Sequence, residues 1–151
     1  MDKVFEKMGG EEGFRDLESM VLDEVKNNIR CVVGTGGGIV LKNTNWAKLQ
    51  TGLVVYLKVE VKDIIKRFEI SNGGDRPLLK TEDPEQTLAE IYDKRKSLYE
   101  QADVVIDVKQ SMNTKEVTEA IVKQLHNFID ENPPGYEKDK KKAKEEGLDW
   151  V

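Results

Sequence analysis

The amino-acid sequence predicts an α/β protein whose parallel strands are joined by helical crossovers. Three observations point there. Short β-branched runs are bounded by glycine, longer stretches repeat apolar residues at three- and four-residue spacing, and the two kinds of segment alternate along the chain. A first helix is predicted from about Glu11 to Asn28, where Phe14, Leu17, Val21, Leu22 and Val25 share a face and Arg15, Asp16, Asp23 and Lys26 lie between them. Cys31-Val32-Val33 then reads as a buried strand that stops at Gly34-Thr35-Gly36-Gly37-Gly38. A short helix around Trp46 and Leu49, capped by Asn43 or Thr44, leads through Gly52 to a second strand, Leu53 to Leu57.

The alternation continues. Val61, Ile64, Ile65 and Phe68 predict a helix from Val61 to Ile70, and Ser71 to Pro77 reads as a loop, since glycine and asparagine favour turns and proline pushes Arg76 out of the helical region. A long helix from about Glu85 to Gln101, with Asp83 or Thr81 near its start, precedes a third strand at Val104-Val105-Ile106. The last helix, Thr114 to Ile129, carries Val117, Ile121, Leu125 and Phe128 on one stripe. Pro133-Pro134-Gly135 ends it, and the almost wholly charged run from Glu137 to Glu146 reads as a solvated tail.

Size and charge narrow the function. At 151 residues the chain has room for one hydrophobic core. Its 24 Lys+Arg against 29 Asp+Glu leave a formal net charge of -5, which disfavours a nucleic-acid or anionic-membrane surface, because either needs excess positive charge. No apolar run approaches the ~20 residues of a membrane span, so a soluble protein is expected. The single Cys31 and single His126 offer neither a disulfide nor a metal cluster, and no metal ligand is assigned. A reducing compartment follows, and Met1 to Gly10 shows no apolar signal core.

The glycine run is the most informative spot. Gly36-Gly37-Gly38 after a predicted strand lets an oxygen-rich ligand approach main-chain N–H groups without meeting a Cβ. Neither nucleotide fingerprint is present: no Lys-Ser or Lys-Thr follows a glycine as G-x-x-x-x-G-K-[S/T] requires, and G-x-G-x-x-G fails at Ile39. Arg15, Arg76 and Arg95 add guanidinium forks suited to carboxylate or phosphate, although an isolated arginine is ordinarily a solvated surface residue.

Their order and spacing resemble the shikimate kinase family. The matching segments are Gly10-Glu11-Glu12-Gly13-Phe14-Arg15 with Glu18, then Val33 to Val40, Val54 to Leu57, Arg76-Pro77-Leu78-Leu79, and Arg95 with Leu98-Tyr99 and Ala102-Asp103. Asn45-Trp46 is similar to cyanobacterial and plastid members. The resemblance implies a three-layer α/β/α fold of the nucleoside-monophosphate-kinase-like P-loop type, which transfers the γ-phosphoryl of ATP to the 3-hydroxyl of shikimate with Mg²⁺. It implies that Arg15 and Arg95 hold the substrate carboxylate, that Gly36, Gly37 and Gly38 line its ring, that Gly37 places a backbone donor on a hydroxyl, and that Phe14 is among the substrate-binding residues. Arg76 would stand in a lid over ATP, stabilising charge on the transferring phosphoryl, and Arg67 near the adenine.

The chain departs from the family at its start. In the family a first strand, the P-loop, a helix and a second strand precede the segment that begins at Met1, and in the sheet order 2-3-1-4-5 that first strand lies between the strands at Val32 and Val55. The expectation is therefore a domain over residues 1–131, missing its first two strands, with a charged tail over 132–151. Such a chain carries the substrate and lid side, lacks the main ligands of ATP and Mg²⁺, and is expected to be inactive alone. A monomer is expected once the domain is complete, in the cytoplasm or, given a transit peptide, the plastid stroma. The competing expectations are a catalytically silent module binding a shikimate-like acid or a protein, and a kinase such as gluconate kinase. Phe14-Arg15 and the glycine run argue against the last.

Overall fold

In the computed structural model, residues 9–70, 79, 81–133 and 145 are described, and they fall into two units, 1–112 and 113–151. The first unit opens with α1 (Gly10–Val25), which starts on two glycines with φ of 79° at Gly9 and 85° at Gly10, backbone that a side chain would strain. Glu11 and Glu12 in its first turn complement the helix dipole. It ends earlier than predicted, where the Lys26 N–H closes on the Leu22 carbonyl at 3.0 Å. A single 3-10 turn, Ile39–Leu41, follows the glycine run and leads into α2 (Asn43–Leu49). The N-cap position of α2 is Lys42, with no side-chain cap, so neither Asn43 nor Thr44 caps it. Asn45 is instead drawn inward, where its Nδ2 donates to the Ile39 carbonyl at 2.9 Å.

The predicted strand at Cys31 to Val33 is not one. That segment has no ladder partner among the described residues, and Val32 is 100% exposed with Val33 about half exposed. Three apolar residues satisfy the local cue for a strand, but a strand exists only through its neighbour's hydrogen bonds.

The sheet that forms has two strands. β1 (Val55–Lys58) pairs in parallel with β2 (Val104–Asp107), in register Val55 with Val104 and Leu57 with Ile106. The pairing is extended at both ends, by the Val104 N–H on the Val54 carbonyl at 3.1 Å and the Val108 N–H on the Lys58 carbonyl at 2.8 Å. Parallel pairing requires a crossover, supplied by α3 (Val61–Ile70) and α4 (Pro84–Tyr99), which pack on one another. Asp83 resolves the choice of cap for α4, since its side chain accepts from the Gln86 N–H at 2.9 Å with Pro84 behind it. The core of this unit gathers Leu22, Ile39, Val40 and Trp46, with Val25, Leu49, Val54, Leu98 and Tyr99 against them. Polar ties join α1 to α2: Lys48 Nζ donates to the Ser19 carbonyl at 3.1 Å, and Lys42 pairs with Asp16.

The second unit is built on α5 (Thr114–Glu131), opened by a reciprocal capping box. The Glu116 N–H donates to Asn113 Oδ1 at 3.0 Å, and the Asn113 N–H donates to Glu116 Oε2 at 2.7 Å. Val117, Ile121, Leu125 and Phe128 are its partly buried stripe, as their spacing predicts. No helix among the described residues is long and apolar enough to cross a membrane.

Candidate functional site

The glycine turn is enclosed by α1 and α4, and Arg15 is its centre. The helical spacing of α1 puts Glu18 one turn beyond Arg15 and Glu11 one turn before it, so both carboxylates reach the guanidinium. Nη1 pairs with Glu18 Oε2 and Nη2 with Glu11 Oε1 at 3.4 Å. The Arg15 and Glu18 side chains are only 13% and 16% exposed, so the closer pair is far less screened than a surface ion pair. Arg15 Cζ also stands 5.3 Å from the centroid of the Phe14 ring, within cation–π range. Its Nε is buried without a hydrogen-bond partner among the described residues.

The guanidinium lies directly against Gly38. A Cβ added there would meet Nη2 at 2.6 Å, so glycine is what lets the guanidinium rest this close to the backbone, and a larger residue would displace it. Gly38 is buried while Gly36 and Gly37 are exposed, so the first half of the turn is open and the arginine rests beside the second half. Glu18 borders Gly36 from the α1 side, its Oε1 3.1 Å from where a Cβ would sit. From the α4 side the Tyr99 hydroxyl donates to the Gly37 carbonyl at 2.9 Å.

Tyr99 is itself held. Its ring stacks on Tyr56 of β1 with centroids 5.2 Å apart and planes 22° from parallel. Burial, followed by the neighbouring Tyr92 hydroxyl, pushes the Tyr56 phenol well above its ordinary value of 10.0, so it stays neutral.

The structure thus joins Phe14, Arg15, Gly36, Gly37 and Gly38 in one place. Arg95 lies one turn before Tyr99 on α4, partly buried, with no acidic partner among the described residues. Arg67 is exposed in the last turn of α3 and makes no described contact with this group. Arg76 lies outside the described residues. Glu18 and Tyr99 were not singled out for a site role, yet each stands one helical turn from a singled-out arginine, and that spacing was the available signal. Chemically, the arrangement offers a fixed guanidinium, a second uncommitted arginine on the α4 face, and an accessible glycine backbone. That set suits a small hydroxylated carboxylic acid.

No group of three or more His, Cys, Asp or Glu side chains that could hold a metal ion occurs among the described residues. The 151 residues also contain no G-x-x-x-x-G-K-[S/T] cradle. Among the described residues, then, no side-chain group fits a magnesium nucleotide.

Comparison with known proteins points the same way. The shikimate kinase family model matches residues 1–126. The shikimate kinase of Synechococcus elongatus is 41% identical over 128 residues, covering 82% of this chain and 66% of that protein. That of Rippkaea orientalis is 37% identical over 120 residues, covering 80% of this chain and 63% of that protein. The chain thus spans slightly under two-thirds of the length of these relatives. Among solved structures, shikimate kinase from Acinetobacter baumannii in complex with shikimate superposes with a TM-score of 0.72 at 33% identity, covering 87% of this chain and 70% of that one. Shikimate kinase from Bacteroides thetaiotaomicron gives 0.71 at 26% identity, covering 85% and 74%. Both likenesses bear out the α/β P-loop kinase fold expected from the sequence. With matching sequence over most of the chain and a matching fold, this chain belongs to the shikimate kinase family.

Proposed function

We propose that this chain is the substrate-binding side of a shikimate kinase-type phosphotransferase, which converts ATP and shikimate to ADP and shikimate 3-phosphate in aromatic amino-acid biosynthesis. The observation that carries this reading is Arg15, partly buried, pinned by Glu18 and laid against Gly38 at the edge of an accessible glycine turn. Arg15 and Arg95 hold the substrate carboxylate, and Phe14 with Gly36, Gly37 and Gly38 lines its ring. Burial of the Arg15–Glu18 pair fixes the guanidinium before the ligand arrives, so little orientation is lost on binding. Arg67 and Arg76 belong to the nucleotide side, with Arg76 stabilising charge on the transferring phosphoryl.

The phosphate cradle and the ligands of Mg²⁺ come from outside these 151 residues. Two observations support this: the relatives are about half as long again as the matched stretch, and β1 has one edge with no partner among the described residues. Residues 1–131 form one shikimate kinase-like domain and 132–151 a charged tail. The complete enzyme is a monomer in a reducing compartment, the cytoplasm or plastid stroma. The missing cradle sequence also favours a second reading, a silent module that binds a shikimate-like acid without turnover.

Kinetics test the assignment. In a chain joined to a P-loop segment, Arg15→Ala and Arg95→Ala each lower kcat/KM for shikimate at least tenfold, about 1.4 kcal/mol of transition-state stabilisation. Unchanged kinetics in both variants would sink it. Activity in the joined chain shows that the substrate side is competent for turnover once a cradle is supplied.

A further inference from the structure

The Tyr99 hydroxyl donates to the carbonyl of Gly37, and the peptide joining Gly37 to Gly38 is trans. In a trans peptide the N–H points opposite to the C=O, so this bond aims the Gly38 N–H away from Tyr99. That amide has no acceptor among the described residues. Of the neighbouring amides, the Ile39 N–H reaches the Gly36 carbonyl at 3.2 Å and the Leu41 N–H the Gly38 carbonyl at 3.1 Å. An unpaired N–H on a buried residue is costly unless an acceptor comes to it, and here it belongs to the residue against which Arg15 rests.

Tyr99 is built to hold that orientation. Its ring is fixed by the stack on Tyr56 from β1, its backbone by α4, and its Oη sits 3.1 Å from where a Cβ on Gly37 would be. A glycine peptide is otherwise free to turn over, because glycine populates positive and negative φ about equally. The tyrosine therefore supplies a constraint that the glycines themselves cannot.

We infer that Tyr99 is a positioning residue, whose hydroxyl locks the Gly37 to Gly38 peptide so that the Gly38 N–H is presented to a ring oxygen of a bound polyhydroxy acid. This rests on the proposed substrate reading. The tyrosine acts on the ring side of the ligand, and Arg15 on its carboxylate.

The test is calorimetric titration of the 151-residue chain with shikimate and with its methyl ester, in wild type, Tyr99→Phe and Arg15→Ala. Tyr99→Phe keeps the stacked ring and removes only the hydroxyl. It weakens both ligands by the same factor, roughly fivefold for one neutral hydrogen bond, with the unfolding midpoint unchanged. Arg15→Ala weakens shikimate strongly and the ester little, since the ester lacks the charge it pairs with. Wild-type affinity for both ligands in Tyr99→Phe, or a loss confined to shikimate, overturns the positioning role. Wild-type affinity for shikimate in Arg15→Ala overturns the substrate reading instead.

A wild-type chain that binds neither ligand also counts against the substrate reading, and amide hydrogen exchange then decides the tyrosine separately. Faster exchange at Ile39, whose N–H closes the turn on Gly36, in Tyr99→Phe with Val104 and Val108 unchanged supports the lock. Unchanged exchange at all three overturns it.

Discussion

Two apolar stretches a few residues apart in the chain meet opposite fates. Ile39 and Val40 are each 6% exposed, packed with Leu22 and Trp46, while Ile29 is 85% and Val32 100% exposed. Their side chains are of the same kind, so hydrophobicity does not separate them. Ile39 and Val40 follow a glycine turn clamped by α1 and α4, whereas Ile29 and Val32 belong to a segment with no described strand beside it. The contrast shows that the corner around the glycine turn is self-contained, whereas the Ile29 to Val32 segment has no packing partner among the described residues to cover it.

Substitutions break the comparison where it is strongest. Trp46→Ala removes the largest side chain of the closed corner and costs about 3–5 kcal/mol, measured by denaturant unfolding. Trp46→Phe costs less, because the indole Nε1 is buried without a hydrogen-bond partner among the described residues and its loss leaves nothing unpaired. Gly38→Ala comes next. Its new Cβ occupies the place of a guanidinium held by two carboxylates, so it destabilises by about 1–3 kcal/mol and displaces Arg15, with shikimate affinity falling by roughly tenfold or more.

One substitution made in both regions sharpens the comparison further. Val40→Ala costs about 2 kcal/mol, while Val32→Ala stays within about 0.5 kcal/mol, because only the first deletes methyl groups from a packed site. Equal costs would show that Val32 is packed in solution.

The smallest effect is on pH. The Tyr56 phenol, raised chiefly by burial and next by the Tyr92 hydroxyl, binds its proton more tightly folded than unfolded. Its contribution to stability is fully present below the ordinary value of 10.0 and declines as pH rises above it. Subtracting the alkaline titration of Tyr56→Phe from that of the wild type then isolates a tyrosinate signal that develops above the ordinary value of 10.0.

The sequence was most legible where structure is local. The helix from Val61 to Ile70 needs only its own apolar spacing, and it forms over those residues. Asp83 was one of two candidates for a cap, decided by Pro84 at the first helical position. The strand at Cys31 to Val33 was misread because three apolar residues carry no information about a ladder partner. The cap of α2 was misread because Asn45, two residues on, is drawn inward by the Ile39 carbonyl, a contact no local pattern encodes.

The site was legible in its residue types but not in its assembly. The glycine run and Arg15 stood out from the sequence, but that the guanidinium would lie on Gly38 follows from the packing of α1 on the turn. Tyr99 reaches Gly37 across 62 residues of chain, a separation at which periodicity is silent.

The proposed acid-binding site is a single one, formed by Arg15 and the glycine turn together. Titrating the isotope-labelled chain with shikimate while following backbone amide resonances tests it most directly. Shifts are expected to concentrate at Gly36, Gly37 and Gly38 and around Arg15, and to be lost in Arg15→Ala. Shifts centred elsewhere, or unaltered in that variant, would contradict it.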